Sequence, residues 1–293
     1  MKSKKTLFKG AGTALVTPFK DGEIDYPALS RLIDSQIEAG ISALIVGGTT
    51  GEAATLSDTE RYSLFEFARE HIAGRAALIL GTGTNDTAVA VKHTKFAERC
   101  GCDGVLLVTP YYNKGTEEGV YRHYMKIIES SSLPAILYNV PSRTGVNLGF
   151  NLLSRLAECE TVVGLKEASD STDRLVTLAA MRDILPLYAG NDSQIYPTLA
   201  LGGSGVISVV SNILPKRTRE LCDCCFSGEW ERALDIQLTL LPFIKTLFLE
   251  TNPAPIKHIM ARMGMISPEV RLPLSEPRAS TKAALVCELD KIT

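Results

Sequence analysis

Residues 42–83 read SALIVGGTTGEAATLSDTERYSLFEFAREHIAGRAALILGTG, and this stretch holds one whole repeat of the pattern that decides the fold. It opens on an apolar run that turns through Gly47-Gly48-Thr49-Thr50-Gly51-Glu52 and then meets Ser57-Asp-Thr-Glu60. A serine with a glutamate three residues later forms a capping box, so a helix is expected over Tyr62 to Ile72. A second apolar run from Ala76 closes the unit. Outward from here similar runs start near Thr13, Gly104, Ala135, Val162, Leu187 and Val206, making eight with those at Ser42 and Ala76. Most are spaced by about 30 residues, which suits a βα unit. The runs are continuously apolar rather than alternating, as parallel strands buried on both faces are. Eight such units predict an α/β chain closed as a (β/α)8 TIM barrel, with an open doubly wound sheet as the alternative. Beyond Ser227 the strand signal stops and helical stretches follow near Trp230–Leu249, Pro255–Met263 and Arg278–Leu289, so a catalytic barrel over 1–227 and a C-terminal helical region over 228–293 are expected.

Of the 293 residues 45% are hydrophobic and 22% charged, the proportions of a globular chain with a sizeable core. A formal net charge of −2 gives no footprint for nucleic acid or an anionic membrane, and small molecules are the expected partners. The basic start MKSKKTLFKG lacks the apolar core of an export signal, and Ile236 to Leu249 is too short and too polar to span a bilayer. Seven cysteines without a second pair at zinc-like spacing read as reduced thiols in the cytoplasm. The four histidines form neither HxH nor HExxH, which argues against a metal-dependent barrel hydrolase.

In a barrel of this kind chemistry sits where the strands end. Lys166 ends an apolar run, where a lysine either snorkels to the rim or is desolvated as a nucleophile. Tyr138 is either a core aromatic or a proton-transfer group, and Tyr111 and Tyr112 are loop aromatics or interface elements. Gly47 to Gly51 is either a tight turn or an anion cradle of N–H groups and hydroxyls, and Arg143 suits bidentate recognition of a carboxylate. Gly81 to Asp86 lacks a dinucleotide fingerprint, and Gly202 to Gly205, ahead of a strand, reads as a connection.

Together GGTTGE, TPYYN, YNVPSRTG and GLKEAS, in this order and at these strand ends, resemble the dihydrodipicolinate synthase family of pyruvate-dependent class I aldolases. GxTGE and YN-P…K alone mark the superfamily that includes N-acetylneuraminate lyase and keto-deoxy sugar acid aldolases, while Arg143 in PSRTG is the mark of the synthases. The resemblance implies that Lys166 forms an imine with pyruvate, whose enamine attacks aspartate semialdehyde on the way to lysine and diaminopimelate. It implies Tyr138 as proton donor and acceptor, with Thr50 and Tyr112 relaying protons to solvent, the tyrosine from a neighbouring subunit of a homodimer or homotetramer. Thr49 and Thr50 would hold the pyruvate carboxylate and Arg143 that of the semialdehyde, with Gly190 and Ile207 lining the pocket. No cofactor and no metal is implied. A sugar acid lyase and a non-catalytic paralogue are the rival readings.

Synthases inhibited by lysine resemble one another at a pocket between subunits, rich in histidine, asparagine and glutamate. The matching positions here are Asp58, Arg61, Asn85 and Val89, walled by Ala53, Ala54 and Tyr111. Val89 supplies no carboxylate for an ammonium group and Arg61 adds a fixed positive charge, so weak inhibition or none is expected.

Overall fold

Eight parallel strands close into a barrel: β1 (Gly10–Ala14), β2 (Ala43–Val46), β3 (Ala77–Gly81), β4 (Gly104–Val108), β5 (Ala135–Asn139), β6 (Val162–Glu167), β7 (Leu187–Ala189) and β8 (Gly205–Ser208). Each pairs with the next, and β8 returns to β1 through Gly10 opposite Gly205 to Thr13 opposite Ser208. This computed structural model describes residues 4–292, so Met1 to Ser3 of the basic start and Thr293 of the expected helical region lie outside the described residues. The expected TIM barrel with C-terminal helices is the observed fold.

Strand side chains alternate, and the alternation sorts the core into two layers. Leu44, Leu78, Leu107, Leu137 and Leu165 point outward into the layer shared with the helices, while Ile45, Ile79, Leu106, Ile136 and Ile207 fill the barrel interior. At the end where the strands begin, the Phe8 and Tyr188 rings stack with centroids 4.6 Å apart, and the Tyr188 hydroxyl donates to the Phe8 carbonyl at 2.7 Å. Two glycines make room for them: a Cβ on Gly12 would lie 2.8 Å from the Phe8 ring and one on Gly164 2.8 Å from the Tyr188 ring. An alanine at either position would overpack the interior. The barrel is thus stoppered at one end, and chemistry is left to the other.

Helix Asp58–Ile72 begins with the expected box, the Ser57 hydroxyl accepting from the Glu60 N–H and the Glu60 carboxylate from the Ser57 N–H at 2.9 Å. Three departures from expectation follow from short-range chemistry. β1 begins at Gly10 rather than near Thr13, because its small residues give no apolar signal. A hairpin of Phe19–Lys20 against Glu23–Ile24 follows β1, turned by Asp21 and Gly22 at positive φ. A short helix, Pro141–Thr144, follows β5, with proline at the first turn where no N–H is needed.

After the last barrel helix, Pro215–Ser227, come Trp230–Thr246, Ala254–Arg262 and Ala279–Leu289, all within a turn of the expected spans. Their inward residues, among them Phe243, Ile256 and Leu285, join the same apolar cluster as the barrel helices. A buried ion pair ties this region back to the threonine turn. Lys257 Nζ bonds Glu52 Oε1 and donates to the Glu269 carbonyl at 2.8 Å, while Glu52 Oε2 accepts from the Arg271 N–H at 2.9 Å. Lys257 and Arg271 sit 4.3 and 4.2 Å from the centre of the Phe19 ring, so the hairpin is caught between two cations. Removing one partner of such a pair costs roughly 3–5 kcal/mol, because the other charge is left buried and alone.

Candidate active site

β5 and β6 set the centre of the site. Their register puts Tyr138 opposite Lys166, both inward-facing at the strand ends, with Lys166 Nζ 4.3 Å from the centre of the Tyr138 ring. The strand end is fixed from behind by Glu167, whose buried carboxylate accepts from Asn139 Nδ2, the Ser169 N–H and Arg174 Nε. Lys166 is only 5% exposed. Burial disfavours its ammonium form, Asp192 opposes that effect and Arg143 adds to it, and the pKa falls to about 7. Near neutral pH about half of such amines are free, against fewer than about one in a thousand for an unperturbed lysine. Burial raises the Tyr138 phenol, while Arg143 and a hydrogen bond with the Thr49 side chain draw it back. The phenol therefore carries its proton near neutrality and has a hydroxyl beside it to pass one on.

The two threonines divide their contacts. Thr49 reaches Tyr138, whereas the buried Thr50 accepts from Asn252 Nδ2 at 3.0 Å. The hydroxyl beside Tyr138 is thus that of Thr49, where Thr50 was expected as the relay partner. Asn252 also accepts at its carbonyl from Arg143 Nη2 at 2.9 Å, so one residue of the C-terminal region steadies both a threonine and the guanidinium. No motif of the sequence pointed to Asn252, which comes into the site from 202 positions beyond Thr50.

These groups face a cavity of about 620 Å³ lined by Thr49, Thr50, Tyr138, Arg143, Lys166 and Gly190 among others. A Cβ on Gly190 would lie 2.6 Å from that of Ala168 and 2.7 Å from the Glu167 carbonyl, so no larger residue fits. Its N–H already donates to Glu167 at 2.7 Å, which leaves its carbonyl as the group open to a ligand. Ile207 is fully buried in the barrel interior, beneath the cavity rather than in its wall. Tyr112 lies outside its own chain's cavity, 88% exposed on the loop after β4 with φ of 70°.

A second cavity of about 480 Å³ meets the first at Thr49, Tyr138, Val140, Arg143 and Asn252. Ala53, Ala54, Asp58, Arg61, Val89 and Tyr111 line it as expected, while His93 joins them and Asn85 does not. Asp58 accepts from Lys92 Nζ at 2.6 Å and pairs with His93 Nε2 at 2.9 Å, and these contacts hold its carboxyl down at about 2. Arg61 spends its guanidinium on the carbonyls of Ala53 and Gly81. Among the described residues no group of three His, Cys, Asp or Glu side chains is placed to hold a metal ion, and no helix is long and apolar enough to cross a membrane.

Comparison with known proteins agrees with this geometry. The model of the dihydrodipicolinate synthetase family matches residues 7–292. The 4-hydroxy-tetrahydrodipicolinate synthase of Clostridium novyi is 48% identical over 272 residues, covering 92% of each chain. Among solved structures, a dihydrodipicolinate synthase from Thermotoga maritima is 44% identical with a TM-score of 0.94, covering 97% of this chain and 98% of that one. Another, from Cyanidioschyzon merolae with lysine bound, is 36% identical with a TM-score of 0.93, covering 98% and 99%. Matched by the family model from near its first strand to beyond its last helix, and by these relatives over nine-tenths or more of its length, the chain belongs to the dihydrodipicolinate synthetase family.

Proposed function

We propose that the chain is a 4-hydroxy-tetrahydrodipicolinate synthase that holds pyruvate as an imine on Lys166 and condenses it with aspartate semialdehyde, in the cytoplasmic route to lysine and diaminopimelate. The observation that carries this reading is the buried Lys166 amine, with its pKa near 7, facing the Tyr138 ring in a cavity that also holds Arg143. The amine adds to the pyruvate carbonyl and water leaves. Loss of a methyl proton gives the enamine, which attacks the aldehyde, and ring closure by the semialdehyde amine releases the lysine. The lysine is its own electron sink, so no cofactor enters. Tyr138 moves the protons with Thr49 beside it, the Thr49–Thr50 turn holds the pyruvate carboxylate, and Arg143 holds that of the semialdehyde. The exposure of Tyr112 suits insertion into the site of a second copy in a homo-oligomer.

Purified protein is expected to condense pyruvate with aspartate semialdehyde and to leave N-acetylneuraminate untouched, and the reverse preference would select a sugar acid lyase. Arg143→Ala is expected to raise KM for the semialdehyde at least about tenfold, the scale of a lost charge-assisted pair, while borohydride still traps the pyruvate imine. Because the Arg143 charge helps to lower the Lys166 pKa, the acid limb of the pH profile should also move upward in this variant. Equal losses for both substrates would contradict this division of labour.

The second cavity predicts poor feedback. Asp58 is already matched by Lys92 and His93, and Arg61 stands as a fixed cation, so an amino acid with a cationic side chain finds no free carboxylate among the wall positions named above. Feedback acts only through differential binding to two states. Lysine is therefore expected to leave the rate unchanged below about millimolar concentrations, where binding is worth no more than about 4 kcal/mol. Submillimolar inhibition in a titration would overturn this.

A further inference from the structure

Asp192 lies at the base of the cavity that holds Lys166, just beyond β7, and it is 1% exposed. Its Oδ2 accepts from the backbone N–H groups of Val209 and Val210 at 3.0 and 2.8 Å, and the Ser208 side chain adds a third hydrogen bond. Its Oδ1 is buried with no partner. From the helix side, Gln237 Nε2 donates to the Asp192 carbonyl at 3.2 Å, so the residue is pinned by its main chain as well. A buried carboxylate oxygen left without a donor costs free energy unless a charge arrives to face it.

Imine formation brings such a charge. When the free Lys166 amine condenses with a ketone, water departs, and one proton taken up from solvent leaves the imine nitrogen with a full positive charge in a site that had favoured the neutral amine. The Arg143 guanidinium opposes that charge. Around Asp192 the other titratable groups are Lys166 on β6 and Cys222 on helix Pro215–Ser227, a buried thiol that stays protonated. Asp170, Lys245 and Glu250 stand elsewhere along the cavity wall. Among the described residues the Asp192 charge acts on Lys166 against burial. Burial pushes the Asp192 carboxyl up as well, while Ser208, the Val209 and Val210 N–H groups and the Lys166 charge draw it back toward the ionised form.

We propose that Asp192 is the positioning counter-charge of the cationic imine: its carboxylate, braced by the β8 end, stabilises the positive nitrogen on Lys166 without touching pyruvate. This rests on the imine reading above. The site is in this way built for the intermediate rather than for the resting amine, which fits catalysis by differential binding.

Asp192→Asn keeps the shape and an oxygen to accept from Val209 and Val210, puts an amide NH2 in place of the unpartnered oxygen, and removes the charge. Without that charge the Lys166 ammonium is less stable, so the acid limb of kcat/KM for pyruvate should move to lower pH, by about one unit. The imine loses its counter-charge at the same time, so the rate of borohydride trapping with saturating pyruvate at pH 8 should fall about tenfold, one pKa unit's worth. Ser208→Ala, a gentler change that weakens the hold on the ionised carboxylate, should shift both readouts in the same directions by less. A merely structural role for Asp192 would lower the thermal midpoint and leave the limb in place. An unmoved limb in both variants, with normal trapping, overturns the proposal, while absence of any adduct on the wild type overturns the imine reading itself.

Discussion

Lys166→Ala protein, incubated with pyruvate and borohydride, is expected to gain no mass, while the wild type gains one reduced pyruvyl group on that residue. Reduction turns the imine into a secondary amine that cannot hydrolyse, so the label records where the covalent bond formed. Turnover should fall by about 10⁴-fold or more, the scale on which loss of a covalent nucleophile is felt. In the wild type, kcat/KM for pyruvate should rise through about pH 7, because the free amine is the reactive form and burial brings its pKa to about 7. The same shift fixes the sign for stability. An unfolded chain binds a proton at this lysine up to its ordinary range and the folded chain does not, so burying Lys166 weakens the fold near neutral pH. The thermal midpoint of Lys166→Ala is therefore expected not to fall, which separates loss of chemistry from loss of fold. An adduct on the alanine variant would remove Lys166 from its role.

Tyr138→Phe is expected to slow turnover by roughly 10²–10⁴-fold, the usual worth of a positioned proton-transfer group. The ring stays, so packing against Ile136 and Ile207 in the barrel interior and the face offered to Lys166 are kept. What is lost is the phenol that Thr49 meets, and with it the means of moving protons through the dehydration and enamine steps. Thr49→Val should reproduce part of this loss and Thr50→Val a smaller part, since only Thr49 reaches the phenol. A near-normal rate for Tyr138→Phe would return the residue to a core role.

How much of this was legible in the sequence depended on range. Strand ends carry their own signal, since an apolar run that stops at a lysine, a tyrosine or a glycine–threonine turn shows both the strand and the mouth of the barrel. That signal singled out Lys166, Tyr138 and Arg143 as positions to inspect, the family resemblance supplied their roles, and the three line one cavity. The choice between Thr49 and Thr50 was not legible, because neighbouring residues in a turn face different ways and only coordinates say which meets Tyr138. β1 was placed late because Gly10, Ala11 and Gly12 look like a loop, although Phe8 needs a residue without a side chain at position 12. Asn252, Lys257 and Asp192 had no local signature at all. Their partners lie on other elements, up to 205 positions away for Lys257 and Glu52, and no period in the chain announces such pairings.

The clasp from the C-terminal region has a consequence for the order in which the protein is made. Synthesis delivers Thr50 and Glu52 first and Lys166 more than a hundred residues later, and Asn252, Lys257 and Arg271 leave the ribosome only after all three. A nascent chain can assemble its strands and present its lysine while Thr50 lacks the Asn252 side-chain amide, Arg143 lacks the Asn252 carbonyl, and Glu52 still awaits its cation. Contacts this distant in sequence close late and slowly. Competence thus waits until residues 252–271 are made and docked, and a product terminated before them carries the nucleophile without the frame that would aim it.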